Sequence, residues 1–255
     1  MRRIKAGIVA AGVAGVVAGT AGAQQFDAGF GYTARDEIEK PGSTEELDND
    51  IARLVLGLTW GAGGDGRMRG AVELGFANND DWSGDLTGNY GAELVFARKV
   101  GNQRYGLGGR FRDDEELTST TEVAYSIEHL GESLDLRGLV GLQMLADADR
   151  VPGRDDNTFF AQGEITIYPT SGLALSAAVL ADGDGEGYGV GVEYRPAGWG
   201  VSFYLDYAEA FDDYRDVASY DAFAGGIRFV PGTSSLKAQR QGGLGRIMQR
   251  YFEAQ

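Results

Sequence analysis

From Gln24 to Phe229, apolar and polar side chains alternate with a period of two in runs of about ten residues. Sustained helical spacing is absent until the last two dozen residues. Twelve strands are predicted, at 25–35, 51–61, 67–78, 87–99, 103–113, 118–129, 133–145, 157–169, 172–182, 186–196, 198–209 and 219–230. One parity carries runs such as Phe26, Ala28, Phe30, Tyr32 and Leu54, Leu56, Leu58, Trp60, and between strand ends it holds no Asp, Glu, Lys or Arg. The other parity carries Arg53, Arg69, Glu73, Glu93, Arg110, Arg112, Glu122, Arg137, Glu164, Glu193, Asp206 and Arg228, spaced by Gly, Ser and Thr.

A soluble sandwich alternates in the same way, so the connections must decide. Those of odd rank read as long and acidic (36–50, 79–86, 114–117, 146–156, 183–185, 210–218), and those of even rank as short (62–66, 100–102, 130–132, 170–171, 197). Long loops on one rim, tight turns on the other and an even strand count are the plan of a membrane-spanning barrel. Aromatics gather near strand ends (Tyr32, Trp60, Tyr90, Tyr105, Tyr188, Trp199, Tyr207, Phe229), where an interfacial girdle belongs. Eleven residues at about 3.3 Å each, tilted by about 40°, reach roughly 27 Å, enough for the apolar band. Sliding the register by one residue would put more than a dozen charges in hydrocarbon, at about 2–4 kcal/mol for each arginine near the midplane. The apolar parity therefore faces lipid. The fold class is all-β: a transmembrane antiparallel up-and-down barrel of about 12 strands over 24–230.

The ends of the chain add two segments. Arg2, Arg3 and Lys5, the uncharged run 6–18 and Ala21-Gly22-Ala23 form a three-part secretory signal over 1–23. Thirteen residues are too few for a spanning helix. Losing those three basic residues leaves 20 Lys+Arg against 38 acids, near −18. That charge excludes nucleic acid as a partner. No cysteine and one histidine leave no thiolate site and little for an imidazole metal site, so no cofactor is expected. Residues 231–255 form a basic amphipathic tail on the periplasmic side. Leu244, Ile247, Met248, Tyr251 and Phe252 recur at helical spacing opposite Arg246, Gln249 and Arg250, behind a Gly242-Gly243 hinge. Such a segment would lie on the inner leaflet, plug the barrel mouth or dock a partner.

Signal segment, acidic loops, alternating strands and the closing run Ala224-Gly225-Gly226-Ile227-Arg228-Phe229 together resemble Gram-negative outer-membrane porins. The resemblance implies location in the cell outer membrane and passive diffusion of ions and small hydrophilic solutes. It also implies outer-membrane lipid and lipopolysaccharide as surroundings, and a homo-oligomer as one arrangement. Members of that family often end in an aromatic on the last strand, whereas Phe229 is followed by 26 residues here.

The lumen is expected to hold ten arginines (35, 53, 67, 69, 104, 110, 112, 137, 195, 228) and nine acids (Asp27, Glu73, Glu93, Glu122, Glu128, Asp135, Glu164, Glu193, Asp206), with no lysine. Arg110 should face Glu122, and Arg137 should lie diagonal to Glu128. Such pairs either zip a filled interior shut or form a constriction of opposed charges. Eleven inward glycines, Gly106 and Gly108 among them, vacate volume and favour a pore lined by the twelve charged residues named above. A non-conducting structural or adhesion barrel is the alternative. The stretch Asp182 to Gly187 with Glu193 imitates a calcium loop, but the period-two pattern carries Glu193 away down a strand. Acidic outer loops would either be solvated or bind divalent cations that bridge to lipopolysaccharide. A lipid hydrolase would need His129 to activate a serine such as Ser133 on the lipid face, and no orienting acid or amide is evident there.

Overall fold

The computed structural model describes residues 25–39, 46–78, 86–114, 119–146, 157–183, 185–210 and 221–249. Residues 1–23, most of the acidic connections, and Arg250, Tyr251 and Phe252 lie outside them. The strands are β1 (Gln25–Glu39), β2 (Glu46–Gly61), β3 (Gly66–Asn78), β4 (Leu86–Val100), β5 (Gln103–Asp114), β6 (Ser119–Leu130), β7 (Leu134–Ala146), β8 (Asn157–Thr170), β9 (Leu173–Asp182), β10 (Gly185–Tyr194), β11 (Val201–Ala210) and β12 (Asp221–Phe229). Each pairs antiparallel with its sequence neighbours, and β1 pairs with β12 to close the barrel. Closure leaves no strand edge, so the wall satisfies its own backbone groups, as hydrocarbon requires. Strand lengths run from 9 residues in β12 to 16 in β2, enough for tilted strands to cross a bilayer. No described helix is long and apolar enough to do so.

The period-two pattern sets the register. Phe30 lies between Leu54 and Ile227, and Leu107 lies between Phe96 and Tyr125. These side chains project outward, where Phe159 is 75% and Phe76 62% exposed, while inward Glu122 and Glu193 are each 2% exposed. An apolar outer wall over a charged interior inverts a soluble protein and matches lipid outside. Aromatic clusters mark both rims. Phe26–Phe229 and Trp199–Phe203 pack at 6.4 Å on the short-turn side, and Tyr207–Phe223 packs at 4.9 Å on the other.

Three connections differ from the sequence reading. The stretch 36–50 is mostly strand: β1 and β2 continue as a projecting hairpin past a register shift between Arg35 and Ile38, leaving only 40–45 as the link. The β9–β10 connection is tight rather than long, since Gly185 already pairs with Asp182. Conversely, β10 and β11 are separated by 195–200 rather than by Ala197 alone. Pro196 has no N–H to give a ladder, Gly198 sits at φ +79°, and Arg195 Nε donates to Trp199 O at 2.6 Å, which knots the turn.

Beyond β12 the chain turns at Pro231-Gly232 and re-enters the barrel. Helix α1 (Leu236–Gly242) starts at Ser235, whose hydroxyl accepts from Ala238 N at 3.1 Å. The helix lies across the short-turn mouth. Leu236 N donates to Ser171 O at 3.0 Å, Lys237 Nζ to Glu132 O at 2.6 Å and Gln241 Nε2 to Gly131 O at 2.9 Å. The residues expected to extend a helix, Leu244, Ile247 and Met248, lie instead in tight turns after α1 ends at Gly242. Of the three placements open to the tail, the structure takes the mouth, and the chain continues on into the lumen.

Candidate functional site

Register places opposite charges side by side along the inner wall. Arg110 faces Glu122 and bonds it at 2.5 Å, as expected. Arg137 is level with both Glu128 and Glu164, not diagonal to Glu128. It bonds Glu164, because Arg104 already occupies Glu128 at 2.5 Å. Arg69 bridges Asp27 and Glu93, each at 2.6 Å, while Arg53 at 3.2 Å and Arg112 at 3.1 Å share Glu73. Planar guanidinium forks suit such cross-strand sharing, and lysine would not.

The tail completes this network. Arg240 bonds Glu193 at 2.9 Å and Glu164 at 3.4 Å, and Arg246 bonds Glu164 at 2.6 Å and reaches Glu193 at 3.6 Å. With Arg137 and Arg228 from the wall, four guanidiniums converge on two buried carboxylates. In the opposite sense, wall arginines donate to tail carbonyls. Arg104 Nη1 reaches Gln241 O at 2.8 Å and Gly243 O at 3.0 Å, and Arg67 Nη1 reaches Gly242 O at 3.0 Å. These three carbonyls are the ones a helix end leaves without partners, so the barrel wall caps α1 at its negative pole. Arg137 bonds the carbonyls of Arg246 and Gln249, and Arg195 holds Thr233 O at 2.5 Å and Gln239 Oε1 at 3.0 Å. Reading the wall alone put Arg67, Arg104, Arg137 and Arg195 on the inner face, to pair with wall carboxylates or line a pore. All four instead bond carbonyls of the tail.

Apolar contact seats the rest. Leu244, Ile247 and Met248 are at most 1% exposed and pack with inward Val95, Ala97, Ala124, Leu139, Phe160 and Leu180. Burying three such side chains contributes roughly 5–8 kcal/mol, an upper bound for a chain that would otherwise be fully solvated. Glycines make the room: a Cβ on Gly106 would stand 2.8 Å from Ile247 Cγ2, and one on Gly108 2.5 Å from Met248 Sδ. Elsewhere the wall fills its own notches, with Arg69 over Gly57 and the Tyr204 hydroxyl over Gly226. The volume those glycines vacate holds side chains as well as open space.

Among the described residues, a cavity of about 260 Å³ stays open between the tail and the wall of β1–β5 and β10–β12. Its lining runs from Gln25 at the short-turn end to Thr33, about 27 Å along β1 at ~3.4 Å per residue. Nine of the twelve predicted lining residues face it: Arg53, Arg69, Glu73, Glu93, Arg110, Arg112, Glu193, Asp206 and Arg228. The other three do not reach it. Glu122 is sealed against Arg110, while Arg137 and Glu164 lie beneath the tail. Arg228 also stacks over the Tyr204 ring, 4.0 Å from its centroid. Sequence reasoning did not place Arg240 and Arg246 in the lumen, and the signal was faint: three basic residues, with Lys237, in an amphipathic tail with no acid between Thr233 and Gln249.

His129 lies exposed on the lipid-facing parity and pairs through Nδ1 with the Gln103 amide at 2.9 Å, not with Ser133. Glu193, the last position of the calcium-like pattern, is committed to Arg228 and Arg240, and Asp184 lies outside the described residues. Among the described residues no cluster of three metal-ligating side chains forms.

No protein-family model and no curated protein matches the chain in sequence. Solved structures do match in shape. An outer membrane channel from Pseudomonas putida F1 superposes with a TM-score of 0.63 at 11% identity, over 84% of this chain and 97% of that one. The NanC porin gives 0.55 at 14% identity, over 80% and 98%, and the toluene transporter TbuX of Ralstonia pickettii gives 0.53 at 7%, over 83% and 90%. At such identities the likeness is one of fold. That fold is the outer-membrane β-barrel of porins and channels, here with twelve strands and its own C-terminal segment inside.

Proposed function

We propose that the chain is an outer-membrane channel through which ions and small hydrophilic solutes diffuse passively. The observation that carries this reading is the charged cavity that follows β1 for most of its membrane-crossing length beside the seated tail. A filled structural barrel would spend its interior on side-chain contacts throughout. Here part of the lumen is packed with tail, and beside it arginine and carboxylate groups face open space. Solute moves down its own gradient, and the paired charges offer many weak contacts rather than one tight site.

The seated tail itself supports a second reading, a closed barrel that conducts nothing. Single-channel current through the refolded chain from Gln24 onward, in a planar lipid bilayer, separates the two. Discrete, reproducible steps are expected; silence from protein shown to be folded would favour the closed barrel.

A further inference from the structure

Resting on the channel reading, we propose that the C-terminal tail is the selectivity element of the passage, with Arg240 and Arg246 making it prefer small anions. The wall by itself is balanced. Of the described wall side chains that face the cavity, five are arginines and five are carboxylates. The tail adds Arg240 and Arg246 and no acid among its described residues, so the positive excess comes from the tail alone. The pair beneath the tail, Arg137 with Glu164, is itself neutral and leaves that balance unchanged.

The position of the excess matters as much as its sign. Arg240 and Arg246 meet Arg228 around Glu193, beside Asp206, so an entering ion passes a site where guanidiniums outnumber carboxylates. The acidic stretches that join strands at the opposite rim pull the other way. Exposed charges more than about 10 Å from the narrow part are largely screened at 0.1 M salt, however, whereas charges inside a low-dielectric wall are not. The inner excess therefore governs permeation, and the favoured solutes are inorganic anions and small carboxylates.

The test is the reversal potential in a tenfold KCl gradient, read for four proteins from Gln24 onward. These are the parent chain, the Arg240→Gln/Arg246→Gln variant, the charge-keeping Arg240→Lys/Arg246→Lys variant and a chain ending at Gly232. Folding is checked for each by the shift in gel mobility on heating. The parent is expected to prefer chloride. In the glutamine variant the anion-to-cation permeability ratio should fall about thirtyfold, because two unit charges at roughly 8 Å in a water-like dielectric favour the anion and oppose the cation by about sixfold each. The lysine variant should keep the preference, and the truncated chain should lose it while conducting more. A parent that conducts without preferring chloride, or a glutamine variant that keeps the preference, overturns the proposal and leaves the channel reading standing. A silent parent with a conducting truncated chain makes the tail a closure instead and also overturns it. Silence from all four folded proteins removes both readings.

Discussion

A buried arginine here is held by what it touches on two elements at once. Arg110 and Glu122 are both nearly sealed from water, so removing one partner strands the other as an uncompensated charge. Arg110→Ala should lower stability by about 3–5 kcal/mol, read as a drop in the urea midpoint in detergent, and the double change with Glu122→Ala should recover much of the loss. Gly108 tests packing in place of charge. A leucine there would need the space of Met248 Sδ, and the tail should give way before the paired strands do. Trypsin should then cut after Arg246 in Gly108→Leu and spare that bond in the parent. Which pairs form was legible from sequence only to first order. Alternation put Arg137 on the inner wall, but register decides between two carboxylates level with it, and the choice falls to Arg104 on a third strand.

Strands and tail differ in what their sequences disclose. A strand with a clean period of two and a charged face has one tolerable orientation in lipid, so ten-residue runs such as Val123, Tyr125, Ile127 against Glu122, Ala124, Ser126 announce both element and facing. The hairpin of β1 and β2 and the tight turn between β9 and β10 were misread because acids and glycines signal loop wherever they stand, while ladder pairing is indifferent to them at a barrel rim. The tail is harder still. Apolar residues near its end say that something covers them, and nothing local says that the cover is the chain's own lumen. Every strand is already paired on both sides without the tail, so a chain ending at Gly232 should fold into a closed barrel. Retention of its heat-dependent gel mobility would show this; loss of it would make the tail part of barrel assembly.

At the scale of the molecule, a closed wall of twelve strands and a net charge of −15 describe two separate things. The acidity belongs to the connections, and the interior is close to neutral until the tail enters. Length and alternation foretold the wall, its approximate strand count and its lipid-facing side. They did not foretell how much of the lumen stays open, because an inward glycine is compatible with water or with a neighbour's side chain.

The carbonyl grips on the tail carry a consequence in time. Arg67 lies on β3, Arg104 on β5, Arg137 on β7 and Arg195 after β10, so the cradle has no existence as a binding surface until strands remote in sequence stand at their proper heights. Docking is then a late, intramolecular event that reads the finished architecture, and a barrel assembled one residue out of step would leave a basic, apolar terminus dangling at the mouth. In pulse proteolysis during refolding, protection of Arg246 should lag behind protection of the wall. A terminus shielded at the same moment as the strands would mean that it guides assembly rather than attesting to it.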